Sequence, residues 1–248
     1  MPYNRQQRSH LFHKTFMTHL RLILLTLLSL PGLLSLTAAE NKKKRPRVAL
    51  ETTAGTIIVT LFDETPVHRD NFLKLVREGY YDGLLFHRVI KDFMIQTGDP
   101  DSRNAAPGAQ LGEGGPDYTL PLELAWPFRY HYRGAVAAAR EGDDVNPQRC
   151  SSGSQFYIVW GKRISADAWT GFSNSLYDMS GGALEYTPEM AATYRSTGGT
   201  PHLDGQYTVF GEVTAGLKFV KHIQAVATDR NDRPLEDVKI IRARVMED

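Results

Sequence analysis

The sequence contains a single cysteine, Cys150, among its 248 residues. One thiol cannot form a disulfide within the chain, and it cannot supply the ligands of a cysteine-based metal centre. Histidine offers no substitute, because none of the eight histidines lies in an H-E-x-x-H or H-x-H pattern. We therefore expect no metal site.

An excess of charge of either sign is also absent. The 29 lysines and arginines nearly balance the 28 aspartates and glutamates, which leaves a net charge of +1. Domains that bind nucleic acid usually carry a strongly basic surface, so we do not expect nucleic acid as a partner. With 42% hydrophobic and 23% charged residues, the composition suits one globular domain, with room for an appendage.

Two stretches of small residues lack the groups that would make them catalytic or phosphate-binding. The serines of "SSGS" (151–154) do not form the G-x-S-x-G turn of a serine hydrolase. The glycine-rich "GAQLGEGG" (108–115) lacks the lysine and the following helix of a phosphate loop. The first observation disfavours a hydrolase, and the second favours a flexible surface loop over a nucleotide site.

An apolar run near the N-terminus, residues 22–36, follows Arg21 and precedes the small residues 37–39. This layout is typical of a secretory signal peptide. The run is short for a membrane-spanning helix. We therefore predict a signal peptide over residues 1–39 and an exported, periplasmic protein.

The predicted signal is followed by a basic linker, residues 40–46, whose positive charge hinders export. An uncleaved signal that anchors the protein to the membrane is therefore the alternative. The sequence leaves open whether translation starts at Met1 or at Met17.

The rest of the chain, residues 47–248, predicts short strands separated by turns. Two β-branched runs within 48–62 surround Thr53, Ala54 and Gly55 and predict a hairpin. Helices are predicted over 65–79 and 214–226 from their apolar faces. Many short strands without intervening helices favour an antiparallel barrel or sandwich. The further strands are predicted at 84–90, 93–97, 134–139, 155–160, 207–213 and 238–245.

The segment 161–200 interrupts this pattern. Its aromatic residues Trp169, Phe172 and Tyr177 indicate an ordered structure, and "TPEMAATYRSTGG" (187–199) is helix-like. A loop of this length in a compact domain is usually either functional or disordered.

The stretch "LLFHRVIKDFMIQTGDP" (84–100) places Arg88 among apolar and aromatic residues. A permanent cation in such surroundings is costly unless it has a partner or a task. Taken alone, Arg88 fits a structural ion pair or an exposed edge strand equally well. Its neighbourhood is more specific, because "FHRVIKDFMIQTGD" resembles the central signature of the cyclophilins, which are peptidyl-prolyl cis-trans isomerases.

Three further segments resemble the same family in the same order. They are "GAVAAAR" (134–140), "SGSQFYIV" (152–159) and "HLDGQYTVFGEV" (202–213). The resemblance covers about residues 47–246, with 161–200 as an insertion, and with the predicted signal it suggests an exported bacterial type. It implies a mainly β fold, an eight-stranded antiparallel β-barrel capped by two α-helices, with the active groove on the outer wall.

The resemblance also implies a task for Arg88. Rotation about an X–Pro bond breaks amide resonance, with a barrier of about 18–20 kcal/mol. In the twisted transition state the proline nitrogen gains a lone pair and accepts a hydrogen bond, which Arg88 would donate. No proton is transferred and no covalent bond forms, so we expect no cofactor.

The remaining site residues follow from their positions in the family motifs. Phe93 and Gln96 would complete the catalytic set with Arg88, and Gln96 would bond the substrate backbone. The proline pocket would be formed by Phe93, Met94, Tyr157 and Leu203, the adjoining groove by Ala139, Arg140 and Gln155, and the rim by His202 and Tyr207.

Four positions depart from the family pattern. Tyr157 replaces a phenylalanine, which adds a hydroxyl that we expect to face solvent. His202 replaces a tryptophan, Tyr207 replaces a histidine, and Arg140 replaces an asparagine. The changes lie at the pocket rim, so we expect good activity on proline-containing polypeptides but weak binding of cyclosporin.

Two alternatives stay open at this level. A binding module of the same fold would hold proline segments without turning them, and a hydrolase on a similar β fold is less favoured because no triad can be placed. The 161–200 segment either packs beside the pocket or lies on the far side of the barrel. The oligomeric state and the client proteins stay open.

Overall fold

The computed structural model describes residues 44–247. The predicted signal peptide (1–39) and the first part of the predicted linker (40–43) lie outside the described residues. Between residues 44 and 247, no helix is both long and apolar enough to cross a membrane.

Eight strands form one antiparallel sheet, and two very short strands form a separate ribbon. The order in the large sheet is β10-β1-β2-β9-β6-β8-β4-β3, and the ribbon pairs β5 with β7. The strands are β1 (Arg47–Thr52), β2 (Gly55–Leu61), β3 (Arg88–Ile90), β4 (Met94–Thr97), β5 (Thr119–Leu120), β6 (Ala135–Ala138), β7 (Ser151–Ser152), β8 (Phe156–Val159), β9 (Val209–Ala215) and β10 (Ile240–Val245).

The large sheet is curled into a half-barrel whose two edge strands are linked by the chain beside them. The amide of Gly83 donates to the carbonyl of Ile240, and the amide of Ile240 donates to the carbonyl of Leu84, both at 2.8 Å. The amide of Phe86 donates to Val238 at the same distance. The predicted eight-stranded antiparallel architecture is therefore confirmed, with loop segments rather than a strand ladder joining its edges.

The hairpin of β1 and β2 shows how local sequence sets the fold. The hydroxyl of Thr52 accepts hydrogen bonds from the amides of Ala54 and Gly55, both at 3.1 Å. Gly55 has a φ of +132°, and a Cβ there would collide with the ring of Phe219. Glycine is therefore required for this turn.

The described chain has four α-helices instead of the two predicted to cap the sheet. The helices are α1 (Pro66–Arg77), α2 (Ala166–Met179), α3 (Pro188–Ser196) and α4 (Leu217–Ile223). The first and last correspond to the predicted pair, although α4 is shorter because Thr214 and Ala215 belong to β9.

The two additional helices both lie in the 161–200 segment and are stabilised locally. The hydroxyl of Ser165 accepts from the amide of Ala168 at the start of α2. The hydroxyl of Thr187 does the same for Met190 at the start of α3. Such N-caps satisfy amides that have no partner within a helix.

Alternation along the central strands separates two apolar clusters. Ile95 of β4 and Ile158 of β8 belong to the main core, which also receives α1. Their neighbours Met94 and Tyr157 point to the other face and join a second cluster. This second face carries the candidate site.

Candidate active site

The outer face of β3, β4, β6 and β8 borders a cavity of about 280 Å³. Nine of the eleven predicted site residues line it: Arg88, Phe93, Met94, Gln96, Ala139, Arg140, Tyr157, Leu203 and Tyr207. Gln155 lines a second cavity, of about 560 Å³, which adjoins the first because both share Gln96, Ala139 and Arg140. The eleventh, His202, stacks on Phe93 with ring centroids 5.6 Å apart.

Arg88 is held at the cavity edge by the strand opposite it. The β3–β4 ladder pairs Arg88 with Gln96, and the Arg88 Nη1 donates to the Gln96 Oε1 at 3.2 Å. Its Nε lies 3.8 Å from an oxygen of Asp232. The Arg88 side chain keeps 44% of its surface exposed, so the guanidinium is oriented yet accessible from the cavity.

The amide of Gln96 is engaged at both ends. Its Nε2 donates to the Gln155 Oε1 at 2.9 Å. Gln155 in turn donates to the carbonyls of Gly112 and Gly114, at 2.7 and 2.8 Å. Gln96 thus orients Arg88, and a hydrogen bond from Gln96 to substrate would have to share or replace one of these contacts. The predicted flexible loop is fixed at these two glycines.

The apolar part of the cavity is a ring of large side chains. Met94 and Tyr157 are buried, at 2% and 5% exposure. Phe93 and Leu203 are partly buried and pack against the same cluster. Tyr207 meets Tyr157 edge to face, with centroids 6.0 Å apart. An apolar ring with one adjacent guanidinium suits a small apolar group attached to an amide.

Comparison with known proteins shows the family to which the chain belongs. The family described as cyclophilin type peptidyl-prolyl cis-trans isomerase/CLD matches residues 47–245. This chain belongs to the cyclophilin family. It is therefore an enzyme of the peptidyl-prolyl cis-trans isomerase class.

Relatives of similar length carry the same designation. The human peptidyl-prolyl cis-trans isomerase-like 1 is 33% identical over 199 residues, which cover 80% of this chain and 91% of that protein. The Arabidopsis thaliana isomerase CYP18-2 is 30% identical over 211 residues, 85% of this chain and 99% of that protein.

One bacterial relative is much longer. It comes from Streptococcus pyogenes, and its name joins a phosphatase to a peptidyl-prolyl cis-trans isomerase. It is 37% identical over 198 residues, which cover 79% of this chain but only 37% of that protein. The chain thus spans little more than a third of that relative.

A solved structure agrees in fold. The Cryptosporidium parvum cyclophilin type isomerase matches with a TM-score of 0.58, over 82% of this chain and 99% of that chain, at 22% identity. A second structure of that protein was determined in the presence of the dipeptide Ala-Pro and matches with a TM-score of 0.56.

The hydroxyl of Tyr157 does not face solvent in this cyclophilin, so the expectation drawn from the sequence is wrong. It lies 3.0 Å from the Nε2 of His131, which is itself buried. The His131 Nδ1 lies 2.8 Å from Asp204 Oδ1. A carboxylate can only accept, so the His131 Nδ1 carries a proton and donates to Asp204, and Nε2 forms the second hydrogen bond of the ring with the Tyr157 hydroxyl. Burial raises the pKa of Tyr157 and keeps this hydroxyl protonated.

Arg140 is part of the wall of the cyclophilin groove. Its guanidinium lies over the ring of Tyr207, 4.4 Å from the centroid. It donates to the carbonyl of Gln206 at 3.1 Å and pairs with Asp143 at 2.7 Å. The Arg140 charge is therefore neutralised locally, and the side chain braces the rim.

The sequence analysis missed several residues that line the cavity. His87 is buried, and burial lowers the pKa of its ring to about 4, with Arg88 acting in the same direction and Asp99 opposing it. Its position next to Arg88 in the motif was the available signal. The others are Leu111, Gly112, Glu113 and Asn231, which come from loops with no local pattern.

Proposed function

We propose that this cyclophilin is an exported isomerase that rotates X–Pro bonds in folding polypeptides, with Arg88 as the transition-state donor. The observation that carries the proposal is the placement of Arg88 beside the apolar ring of Phe93, Met94, Tyr157 and Leu203. The related structure determined with Ala-Pro supports a proline ligand for this fold.

Arg88 stabilises the twisted amide more than either planar isomer. Among the contacts of the described residues, the guanidinium uses Nη1 towards Gln96 and Nε towards Asp232, which leaves Nη2 to donate to the proline nitrogen. The planar nitrogen offers no lone pair, so the bond strengthens only as the amide twists. An interaction that is stronger in the transition state than in the ground state accelerates the reaction.

The apolar ring supports the same step by holding the proline. Removing the amide from water favours the less polar twisted form, and a fixed ring lets the preceding carbonyl rotate against it. Desolvation by this surface also strengthens the hydrogen bond from Arg88.

The proposal is tested with a peptide whose X–Pro bond starts in the cis form. Without enzyme the bond relaxes over roughly tens to hundreds of seconds. The purified protein, residues 40–248, should accelerate relaxation in proportion to its concentration and leave the peptide intact. Binding without acceleration would contradict the proposed role of Arg88, and cleavage of the peptide would point to a hydrolase.

A further inference from the structure

Asp204 lies one residue after the pocket residue Leu203 and is fully buried, with a side-chain exposure of 0%. Its Oδ1 accepts from the backbone amide and the Nδ1 of His131, both at 2.8 Å. Its Oδ2 accepts from the hydroxyls of Tyr186 and Tyr194, at 2.9 and 2.6 Å. A buried carboxylate is costly unless it is fully hydrogen-bonded, and here four donors surround it.

Two of the four donors come from the 161–200 segment. The rings of Tyr186 and Tyr194 both pack on Trp169 of α2, with centroid distances of 5.3 Å. Tyr194 is completely buried, and burial raises the pKa of its hydroxyl, so it stays a donor. The same Tyr186 hydroxyl lies 3.2 Å from the carbonyl of Pro201, in the turn that carries His202, so its one proton is shared between that carbonyl and Asp204. Residues 161–200 are therefore hydrogen-bonded to the part of the chain that carries the rim residue His202.

The other side of Asp204 leads into the proline pocket. Its Oδ1 accepts from the Nδ1 of His131, and the Nε2 of the same ring is hydrogen-bonded to the hydroxyl of Tyr157. The His131 and Tyr157 rings are close to parallel, at an interplanar angle of 14°. A continuous chain of hydrogen bonds thus joins the tyrosines of the segment to one wall of the pocket.

We propose that Asp204 is a positioning residue of the isomerase, and that Tyr194 and Tyr186 act through it to hold the Tyr157 wall. Residues 161–200 thereby set the affinity for proline segments without touching them. This inference rests on the assignment of the cavity as the proline site, made under the proposed function.

The expected effect is on binding and not on the chemical step. Tyr157 contacts the ring of the proline in the ground state and in the transition state alike. Loosening this wall should therefore raise KM while kcat changes little, which is the signature of lost uniform binding. Arg88 variants should do the opposite, because Arg88 acts on the transition state.

The test is a double-mutant cycle on Tyr157→Phe and Tyr194→Phe with a short Ala-Pro peptide. Two-dimensional exchange NMR on the full mature chain gives the peptide Kd and the exchange rate on the enzyme. Each single variant should weaken binding about two- to tenfold, the range of one hydrogen bond. The double variant should be no weaker than Tyr157→Phe alone, because Tyr194 then has no hydroxyl to act upon.

A matched control separates this effect from general loss of stability. The hydroxyl of Tyr132 donates to Glu212 at 2.6 Å, the same length as the Tyr194 bond to Asp204. Tyr132→Phe removes a part-buried bond that is not among the hydrogen bonds joining Tyr194 to Tyr157, so it should leave the peptide Kd unchanged. If Tyr194→Phe unfolds, Tyr186→Phe removes the other tyrosine donor to Asp204 and should also weaken peptide binding.

NMR of the His131 ring tests the network whether or not the protein is an active isomerase. In wild-type protein, ¹⁵N NMR of the His131 ring should show a protonated Nδ1. Tyr194→Phe should shift the Nδ1 proton resonance, because Asp204 loses a competing donor, and Tyr132→Phe should not.

The outcomes distinguish the two proposals. A wild-type protein that neither binds nor isomerises the peptide overturns the proposed function, and the His131 spectra still report on the network. If the wild-type protein is active, any of three results would refute the positioning role and leave the proposed function standing. These are full peptide affinity in Tyr194→Phe, additive effects of Tyr157→Phe and Tyr194→Phe in the double variant, and an equal loss of affinity in Tyr132→Phe.

Discussion

At the scale of single residues, the polar side chains of the site are oriented by hydrogen bonds to one another. Arg88 is oriented by Gln96, which is oriented by Gln155, which is anchored to the backbone of Gly112 and Gly114. Each member uses polar atoms on its neighbour, so the Arg88 guanidinium is already oriented before substrate arrives. Preorganised donors of this kind act more strongly than freely rotating ones.

Arg88→Ala should remove most of the activity and leave the fold intact. A charge-assisted hydrogen bond contributes about 1.5–3 kcal/mol, which corresponds to about ten- to a hundredfold in kcat/KM. Arg88→Lys should recover little, because one ammonium does not reproduce the guanidinium fork. The measurement is kcat/KM on a cis-Pro peptide, with Arg244→Ala as control, since Arg244 pairs with Glu51 outside the cavity. More than half of wild-type activity in Arg88→Ala would refute the assigned role.

His87 should make the fold sensitive to mild acid. Burial lowers the pKa of its ring to about 4, while the unfolded chain protonates near pH 6.5. Below pH 6.5 the unfolded state therefore binds the additional proton first, and the free energy of unfolding falls as pH falls, by about 3 kcal/mol near pH 4. Chemical denaturation between pH 4 and pH 7 measures this slope.

The control for this pH effect is an exposed histidine. His87→Gln should reduce the slope between pH 4 and 6.5, whatever it does to stability at neutral pH. Part of the slope should persist, because burial also lowers the pKa of His68. His222→Gln should leave the slope unchanged, because His222 is exposed. An equally steep dependence in both variants would show that other groups control acid unfolding.

His202 should limit the affinity for cyclosporin. Its exposed ring stacks on Phe93 at the rim, where the family pattern has a larger indole that can donate a hydrogen bond. A few tens of Å² of lost apolar contact cost about 1 kcal/mol, and a lost hydrogen bond costs about as much again. Inhibition should therefore be weak, and His202→Trp should tighten the Kd at least about tenfold with a smaller change in kcat/KM. Titration of both proteins decides this, and tight inhibition of the unmodified chain would contradict it.

At the scale of elements, local patterns were enough to predict the hairpin and the helices on either side of the sheet. The β1–β2 hairpin was predictable because Gly55 and the β-branched runs act within a few residues. The predicted start of α1, Thr65, is its N-cap residue, but the Thr65 side chain does not accept from the first amides of the helix. The carboxylate of Glu123 accepts from the amides of Val67 and His68 instead. A partner 55 residues away leaves no trace in a local pattern.

The same limit explains what was missed in the site. The family motifs assigned Arg88, Phe93 and Tyr157 to one site, and all three line the same cavity, because each motif carries its position in the fold. The bond between Tyr157 and His131 spans 26 residues, and that between His131 and Asp204 spans 73. The sequence shows that Tyr157 carries a hydroxyl where the family has phenylalanine, but it does not show the partner of that hydroxyl.

The 161–200 segment is an integral element, and its contact with Asp204 favours the prediction that it packs beside the pocket. Replacing residues 164–198 with a short Gly/Ser linker should lower the Tm and weaken peptide binding. The physical reason is that the Asp204 carboxylate would lose two of its four donors, and a hydrogen bond to a charged group contributes about 1.5–3 kcal/mol. Thermal unfolding and peptide Kd measure the two effects, and an unchanged Tm with full affinity would show that the segment is an ornament.

At the scale of the whole molecule, the near-zero net charge and the open site are consistent with varied substrates. No field of one sign attracts a particular class of polypeptide, so selection rests on the pocket and its rim. Human and plant relatives are matched over nine-tenths or more of their length, so the isomerase domain accounts for nearly all of those proteins. What distinguishes this chain at that scale is the region that precedes the domain.

Residues 1–39 should direct the chain out of the cytoplasm and then be removed. The apolar run 22–36 has the length of a signal peptide, and the small residues before Glu40 fit the cleavage site. N-terminal sequencing of protein from the cell envelope should therefore begin at about Glu40. Leu25→Arg places a charge in the apolar run and should cause the uncleaved precursor to accumulate inside the cell. Ala39→Leu should instead allow targeting but block cleavage, because the site requires a small side chain, and the protein should then be found in the membrane fraction. Uncleaved wild-type protein in that fraction would support the anchored alternative, and full-length protein in the cytoplasm would refute both.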